Sequence, residues 1–393
     1  MAFDTLRSSR LATAAFAGLI LLSARIAVAS ELSDRVAELR GRMTVDDAGN
    51  AIDVNFMDVK AEAGDVALAL AEPTLKSLTL WGAQIGDAVI SQLPAGKNLE
   101  TLVLENTSVT NEGLAPLAQL PKLKSLNLHR SAQLTNDALD QVAKCENLAY
   151  FMAPYTKFGD EGVAKLAPLK KLRLLDLRGC TVSDDALAIV DELPGLVSLK
   201  LRSPALSDKA LAHLADKTKL RGLHLEDARL SEDGMSQLSE LTALDDLNLL
   251  RVPIGNEGLA PLAGMTKMRQ LNLRGTFVSD DGLQYLADMP ELFKLDLSET
   301  EVEGPGLEYV AKLPKMRWLN LWATYADDAA LDHIAQMKTL EYLNLDGTMI
   351  TDAGLEKLAG LSKLKTLSLS QTSISPAAIA KLKAALPGLS VKQ

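Results

Sequence analysis

The chain has 393 residues, an apolar fraction of 47% and only 4% aromatic residues. That apolar content excludes disorder and demands a core filled by aliphatic side chains. A net charge of −10 argues against duplex nucleic acid as a partner, since such binding rests on neutralising phosphates, and two cysteines exclude a disulfide scaffold.

In chain order, residues 1–29 read as a secretory signal peptide. Arg7 and Arg10 precede an apolar run from Leu11 to Leu22, and Ala27-Val28-Ala29 forms a small-x-small cleavage site before Ser30. The run is shorter than the ~20 residues a membrane span needs. No second hydrophobic segment follows, so no span is expected after cleavage, and the mature protein is expected to be secreted or periplasmic. Cleavage removes three basic residues and one acidic residue, taking the net charge to −12. Residues 30–74 read as an N-terminal cap and a degenerate first repeat: a helix over 31–42, a hairpin over Met43–Phe56 turning at Asp46-Asp47-Ala48-Gly49-Asn50, and the degenerate unit over 51–74.

Residues 75–388 repeat with a period of about 24, as in MRQLNLRGTFVSDDGLQYLADMPE from Met268 and LEYLNLDGTMITDAGLEKLAGLSK from Leu340. Thirteen units open at Leu75, Leu99, Leu123, Leu148, Leu172, Leu196, Leu220, Leu244, Met268, Leu292, Met316, Leu340 and Leu364. Apolar residues at positions 4 and 6 point to one face of a short strand, and positions 3, 5 and 7 to the other. Ser, Thr or Asp at positions 12 and 13 opens a helix whose free N–H groups they serve. Apolar residues at 16, 19, 20 and 22 form the helix stripe, and a proline near 23 sends the chain into the next strand. One such unit cannot bury its own apolar face, but a stack of them can. Residues 389–393 read as a capping strand.

These units resemble the leucine-rich-repeat family, specifically the ribonuclease-inhibitor-like subtype with T/C-x-I/V-T/S-D-x-G/A-L. Ile350-Thr351-Asp352-Ala353-Gly354-Leu355 and Val278-Ser279-Asp280-Asp281-Gly282-Leu283 carry the motif. The resemblance implies an α/β fold: a right-handed solenoid (horseshoe) with a parallel β-sheet on its concave face and short helices on its convex face. It also implies a role in protein recognition.

The residues that carry chemistry form no expected catalytic or metal site. His129 and His224 are the histidines on the concave face, four strands or roughly 19 Å apart, too far to share a metal. Cys180 occupies a turn position that holds Thr in seven of thirteen repeats, and it is expected to stay unpaired from Cys145. Ser198, His224 and Asp246 lie on successive strands, but diagonal neighbours are ~7 Å apart, so no hydrogen-bonded triad is expected. Acidic pairs such as Asp184-Asp185, Asp280-Asp281 and Asp327-Asp328 are expected to offset helix dipoles. No enzyme, cofactor or metal is expected.

The variable positions 2, 3, 5, 7 and 8 report function. They hold Trp81, Trp318, Trp322, Tyr150, Tyr155 and Tyr342, six of the nine Trp and Tyr residues, where about two would fall by chance. They also hold 14 Lys or Arg against 11 Asp or Glu. The expected ligand-binding residues are Trp318, Trp322, Tyr342, Phe293, Asp296, Asn320, Asn344, Asp346, Arg178, Arg202, His224, Arg251 and Arg274. Exposed aromatic rings are typical binding hot spots, and arginine forks suit a partner with an acidic surface. The leading expectation is a non-enzymatic extracytoplasmic protein that binds a protein ligand on the concave face. Two alternatives stay open: a carbohydrate-binding envelope protein that stacks sugars on these rings, and a structural envelope protein with no discrete hot spot.

Overall fold

A computed structural model describes residues 31–393; the proposed signal peptide at 1–29 lies outside the described residues. The chain forms two compact units, one ending at Leu172 and one running Arg173–Gln393.

The first unit begins with a helix over residues 31–38. It continues through β1 (Arg42–Val45), β2 (Ala51–Asn55), β3 (Ser77–Trp81), β4 (Thr101–Glu105), β5 (Ser125–Asn127) and β6 (Tyr150–Met152). β1 and β2 form an antiparallel hairpin. Asp46 Oδ1 accepts from the N–H groups of Ala48 and Asn50, and Gly49 takes the positive φ of 82° that the turn requires. From β2 onward every pairing in this unit is parallel.

The second unit carries β7 (Leu174–Arg178), β8 (Ser198–Arg202), β9 (Gly222–Glu226), β10 (Asp246–Asn248), β11 (Gln270–Asn272), β12 (Lys294–Asp296), β13 (Trp318–Asn320), β14 (Tyr342–Asn344), β15 (Thr366–Ser368) and β16 (Ser390–Lys392). All are parallel, and each repeat position pairs with the same position of the next repeat. Leu271, Leu295, Leu319 and Leu343 therefore stand in one row, each at most 1% exposed. Each such burial is worth about 1.5–3 kcal/mol. Strands alternate with helical turns that are mostly four to seven residues long, ending with the ten-residue helix Pro376–Ala385, whose Ser375 cap accepts from the Ala378 N–H.

Two devices carry each repeat around its corner. Position 8 takes a positive φ, as in Arg251 (54°), Gly275 (68°), Ala323 (55°) and Gly347 (66°), which turns the chain off the strand. At position 9 the hydroxyls of Thr276, Thr300, Thr324 and Thr348 donate to the carbonyl three residues earlier. Several acidic residues at position 13 stand in the first turn of a helix, as Asp184, Asp208, Asp280 and Asp352 do, and they also have a second task. Asp208 accepts from the N–H and hydroxyl of Ser231, Asp328 from those of Thr351, and Asp352 from those of Ser375. Each carboxylate thus joins its repeat to the next. In two of the three cases a glycine three positions beyond the Ser or Thr makes room: a Cβ on Gly354 would stand 2.1 Å from Asp328 Oδ1 and one on Gly234 2.0 Å from Asp208 Oδ1. The helices are too short for a large dipole, whereas these hydrogen bonds to a charged group tie each turn directly to the next repeat.

Candidate recognition site

All thirteen expected ligand-binding residues lie in the second unit, and eleven of them sit at positions 3, 5 or 7 on the open face of its sheet. Two stretches of that face differ.

Over β7 to β11 the face is ionic and internally paired. Arg178 donates to both oxygens of Asp176, at 3.0 and 2.7 Å. Arg202 and Arg251 both reach Asp227, each at 2.6 Å. Arg274 reaches Glu299 at 2.5 Å and lies over the Trp322 ring, 4.6 Å from its centroid. Burial acts against ionisation of Asp227, but its two arginine partners outweigh this and hold its carboxyl below the usual range. The four arginines expected to await an acidic partner are thus engaged with carboxylates of this chain. For Arg202, Arg251 and Arg274 the physical reason is register: strands ~4.8 Å apart bring long side chains of neighbouring repeats within reach of one another, whereas Arg178 folds back on Asp176 of its own strand.

His224 is 8% exposed, and its Nε2 lies 3.0 Å from Asp246 Oδ2. This overturns the expectation that the pair is out of reach. The ~7 Å diagonal is a backbone spacing, and the imidazole and carboxylate reach across it, with Asp246 standing opposite Gly222, which has no side chain to compete for the contact. Burial pushes the Asp246 carboxyl up, and the His224 hydrogen bond together with the charges of His224, Lys200 and Lys294 more than reverses it. Among the described residues Ser198 makes no hydrogen bond to His224, so no nucleophile joins the pair.

Over β12 to β15 the face is aromatic. Lys294, Trp318, Tyr342 and Thr366 occupy one row. Trp318 and Tyr342 stack at 4.9 Å with 5° between their planes, and Lys294 Nζ lies 4.9 Å over the other ring system. Such a stack contributes about 0.5–1.5 kcal/mol beyond burial. Burial first, then the Asp346 and Asp296 carboxylates, push the Tyr342 phenol up, so it stays neutral. The asparagines of this face are backbone caps: Asn320 Oδ1 accepts from the Trp322 N–H and Asn344 Oδ1 from the Asp346 N–H. Asp296 receives Ser298 and the Asn320 amide, and Asp346 receives Ser368. Phe293 lies at the strand-entry side with Arg269 over its ring.

A shallow depression of about 370 Å³ opens beside the stack, lined by Phe293, Arg317, Trp318, Tyr342, Lys365 and Thr366. Sequence reasoning missed Lys294, Arg317 and Lys365. Their signal was adjacency in register to Trp318 and Tyr342, not residue type. Glu341, held by Arg317 and then Lys365, has its carboxyl drawn down to about 2.

The sequence pattern described as Leucine Rich repeat matches residues 336–359, the unit that contains Tyr342. The fold is a leucine-rich-repeat fold. Among solved structures the chain is similar to an internalin (InlF) of Listeria monocytogenes, 23% identical, with a TM-score of 0.60 over 77% of this chain and 82% of that one. It is also similar to a leucine-rich-repeat protein of Leptospira interrogans, 18% identical, TM-score 0.51, over 83% and 86%. The mouse RP105/MD-1 complex is similar at 19% identity and a TM-score of 0.56, over 81% of this chain and 59% of that one. No curated protein sequence matches. Leucine-rich-repeat folds generally serve as binding scaffolds. Among the described residues no helix is long and apolar enough to cross a membrane.

Proposed function

We propose that the chain is a non-enzymatic, exported recognition protein of the ribonuclease-inhibitor-like subtype, and that it grips a protein ligand with the open face of β12 to β15. The observation that carries this reading is the Lys294–Trp318–Tyr342 row beside a depression of about 370 Å³. Partly exposed aromatic side chains on a rigid sheet supply contact area with little loss of side-chain entropy, which is the character of a hot spot. The mouse neighbour was solved as a complex with MD-1, a precedent for a protein ligand on this fold.

The same geometry weakens the sugar-stacking alternative. A sugar ring needs a free aromatic face, but Trp318 has Tyr342 on one side and Lys294 against its ring, so the row offers ring edges to a ligand. The arginines of β7 to β11 orient a partner less than they brace the sheet, because their charges are already matched. Affinity capture from the native extracellular fraction, followed by titration of the captured protein, tests the reading. Trp318→Ala with Trp322→Ala is expected to weaken binding by about thirtyfold or more, equivalent to ~2 kcal/mol. Unchanged affinity in that double variant would move the site elsewhere.

A further inference from the structure

The strand-entry edge of the second unit carries a pattern with a period of two repeats. On either side of the buried opening Leu or Met, alternate repeats place two cations, in triplets that start at Lys219, Lys267, Lys315 and Lys363. They end at Arg221, Arg269, Arg317 and Lys365, and all eight cations are exposed. The sequence has the same triplet at Lys122-Leu123-Lys124 and Lys171-Leu172-Arg173. The repeats between hold Ala243 and Asp245, Glu291 and Phe293, and Thr339 and Glu341. Because neighbouring strands pair in register, successive triplets stand two strands, or ~10 Å, apart.

Internal pairing does not exhaust this charge. Asp245 takes Arg221, Glu291 takes Lys315, and Glu341 takes Arg317 and Lys365. Among the described residues Lys219, Lys267, Arg269 and Lys363 have no ion-pair partner; Arg269 lies over Phe293 at 5.5 Å. Eight cations face three carboxylates, leaving five positive charges over six strand spacings, roughly 29 Å. This excess stands on a chain whose net charge is −10. A depression of about 470 Å³ follows the edge, with Phe293 and Pro314 as apolar walls, Arg269, Lys315, Arg317 and Lys363 around it, and the paired carboxylates of Glu291 and Glu341 among them.

We propose that this edge binds a linear acidic polysaccharide, with one carboxylate per one or two sugars, lying across the strands. The density of unmatched charge, about one per ~6 Å, suits such a polymer. Duplex DNA carries one negative charge per ~1.7 Å, so most of its phosphates would remain unmatched on this edge. An acidic peptide lacks a main-chain docking mode here. The N–H groups of Arg269, Phe293, Arg317, Glu341 and Lys365 already donate to carbonyls of the preceding repeat, so no open strand edge is offered to an incoming strand. Pro314, exposed beside Phe293, offers an apolar face to sugar C–H groups. The inference does not depend on the protein-ligand reading of Trp318 and Trp322.

Labelled oligogalacturonate is the probe, titrated against the protein at low ionic strength. Lys219→Glu/Lys267→Glu/Lys363→Glu is expected to weaken binding about tenfold or more and to make the slope of log K against log salt shallower by about 2, as loss of three ionic contacts implies. Lys144→Glu/Lys209→Glu/Lys383→Glu, on the helical side, changes net charge equally and is expected to alter affinity less than about twofold. These substitutions are exposed, and matched circular dichroism spectra verify folding. Three outcomes overturn the proposal: absence of probe binding, equal losses in both triple variants, or tighter binding of a DNA duplex or poly-glutamate than of oligogalacturonate.

Discussion

The two stretches of the second unit's sheet face share one backbone and differ in what their side chains have left to give. From β7 to β11, Arg178, Arg202, Arg251 and Arg274 meet Asp176, Asp227 and Glu299 of their own chain. From β12 to β15, Trp318 and Tyr342 meet each other but remain partly open beside a depression. Charge is long-ranged and readily neutralised by a neighbouring strand, where one carboxylate can hold two arginines, as Asp227 does. Aromatic surface is not: two stacked rings still expose edges that only a further partner covers. On the proposed reading the charged stretch is chiefly structural, and the aromatic stretch offers the surface a partner would cover.

The largest expected effect tests whether both stretches rest on the same core. Leu223→Ala, beneath the charged stretch, and Leu319→Ala, beneath the aromatic one, remove fully buried side chains. Each is expected to cost about 2–5 kcal/mol in denaturant unfolding. A much smaller cost at Leu319 alone would mean that the aromatic stretch is loosely packed.

The next effect separates binding from bracing. The Trp318→Ala/Trp322→Ala variant is expected to lose about thirtyfold or more in partner affinity, along with the roughly 0.5–1.5 kcal/mol of stability that the Trp318–Tyr342 stack supplies. Arg202→Met/Arg251→Met is expected to keep affinity within about twofold while losing about 1 kcal/mol of stability, a figure discounted for solvent around the pair. The reverse result would place the hot spot on the arginines and break the contrast.

The smallest effect is a pH dependence. The Asp227 carboxyl is held below its unfolded value of 3.8, net of an opposing burial effect. Its contribution is thus complete above the unfolded pKa and lost as pH falls through the folded one. Stability curves of the protein and of Asp227→Asn are expected to converge as pH drops below about 4. Parallel curves down to pH 2 would show that the arginine pair contributes nothing specific.

Much of the fold was legible because burial is periodic. Leucines at positions 1, 4 and 6 mark the strand, and the proline near position 23 marks the return. The role of Asp328 or Asp352 was less legible, because its partner sits one full repeat away at Thr351 or Ser375. The His224–Asp246 bond was missed for a related reason: a spacing between backbones underestimates the reach of two side chains over a glycine.

By itself, then, the order of residues determined the repeat, the strand rows and which residues face outward, because those follow from a 24-residue period and the alternation of a strand. Tertiary structure alone decided which outward residues are already engaged. Partners such as Arg251 and Asp227, or Trp318 and Tyr342, are 24 residues apart in the chain and become neighbours only when repeats stack in register.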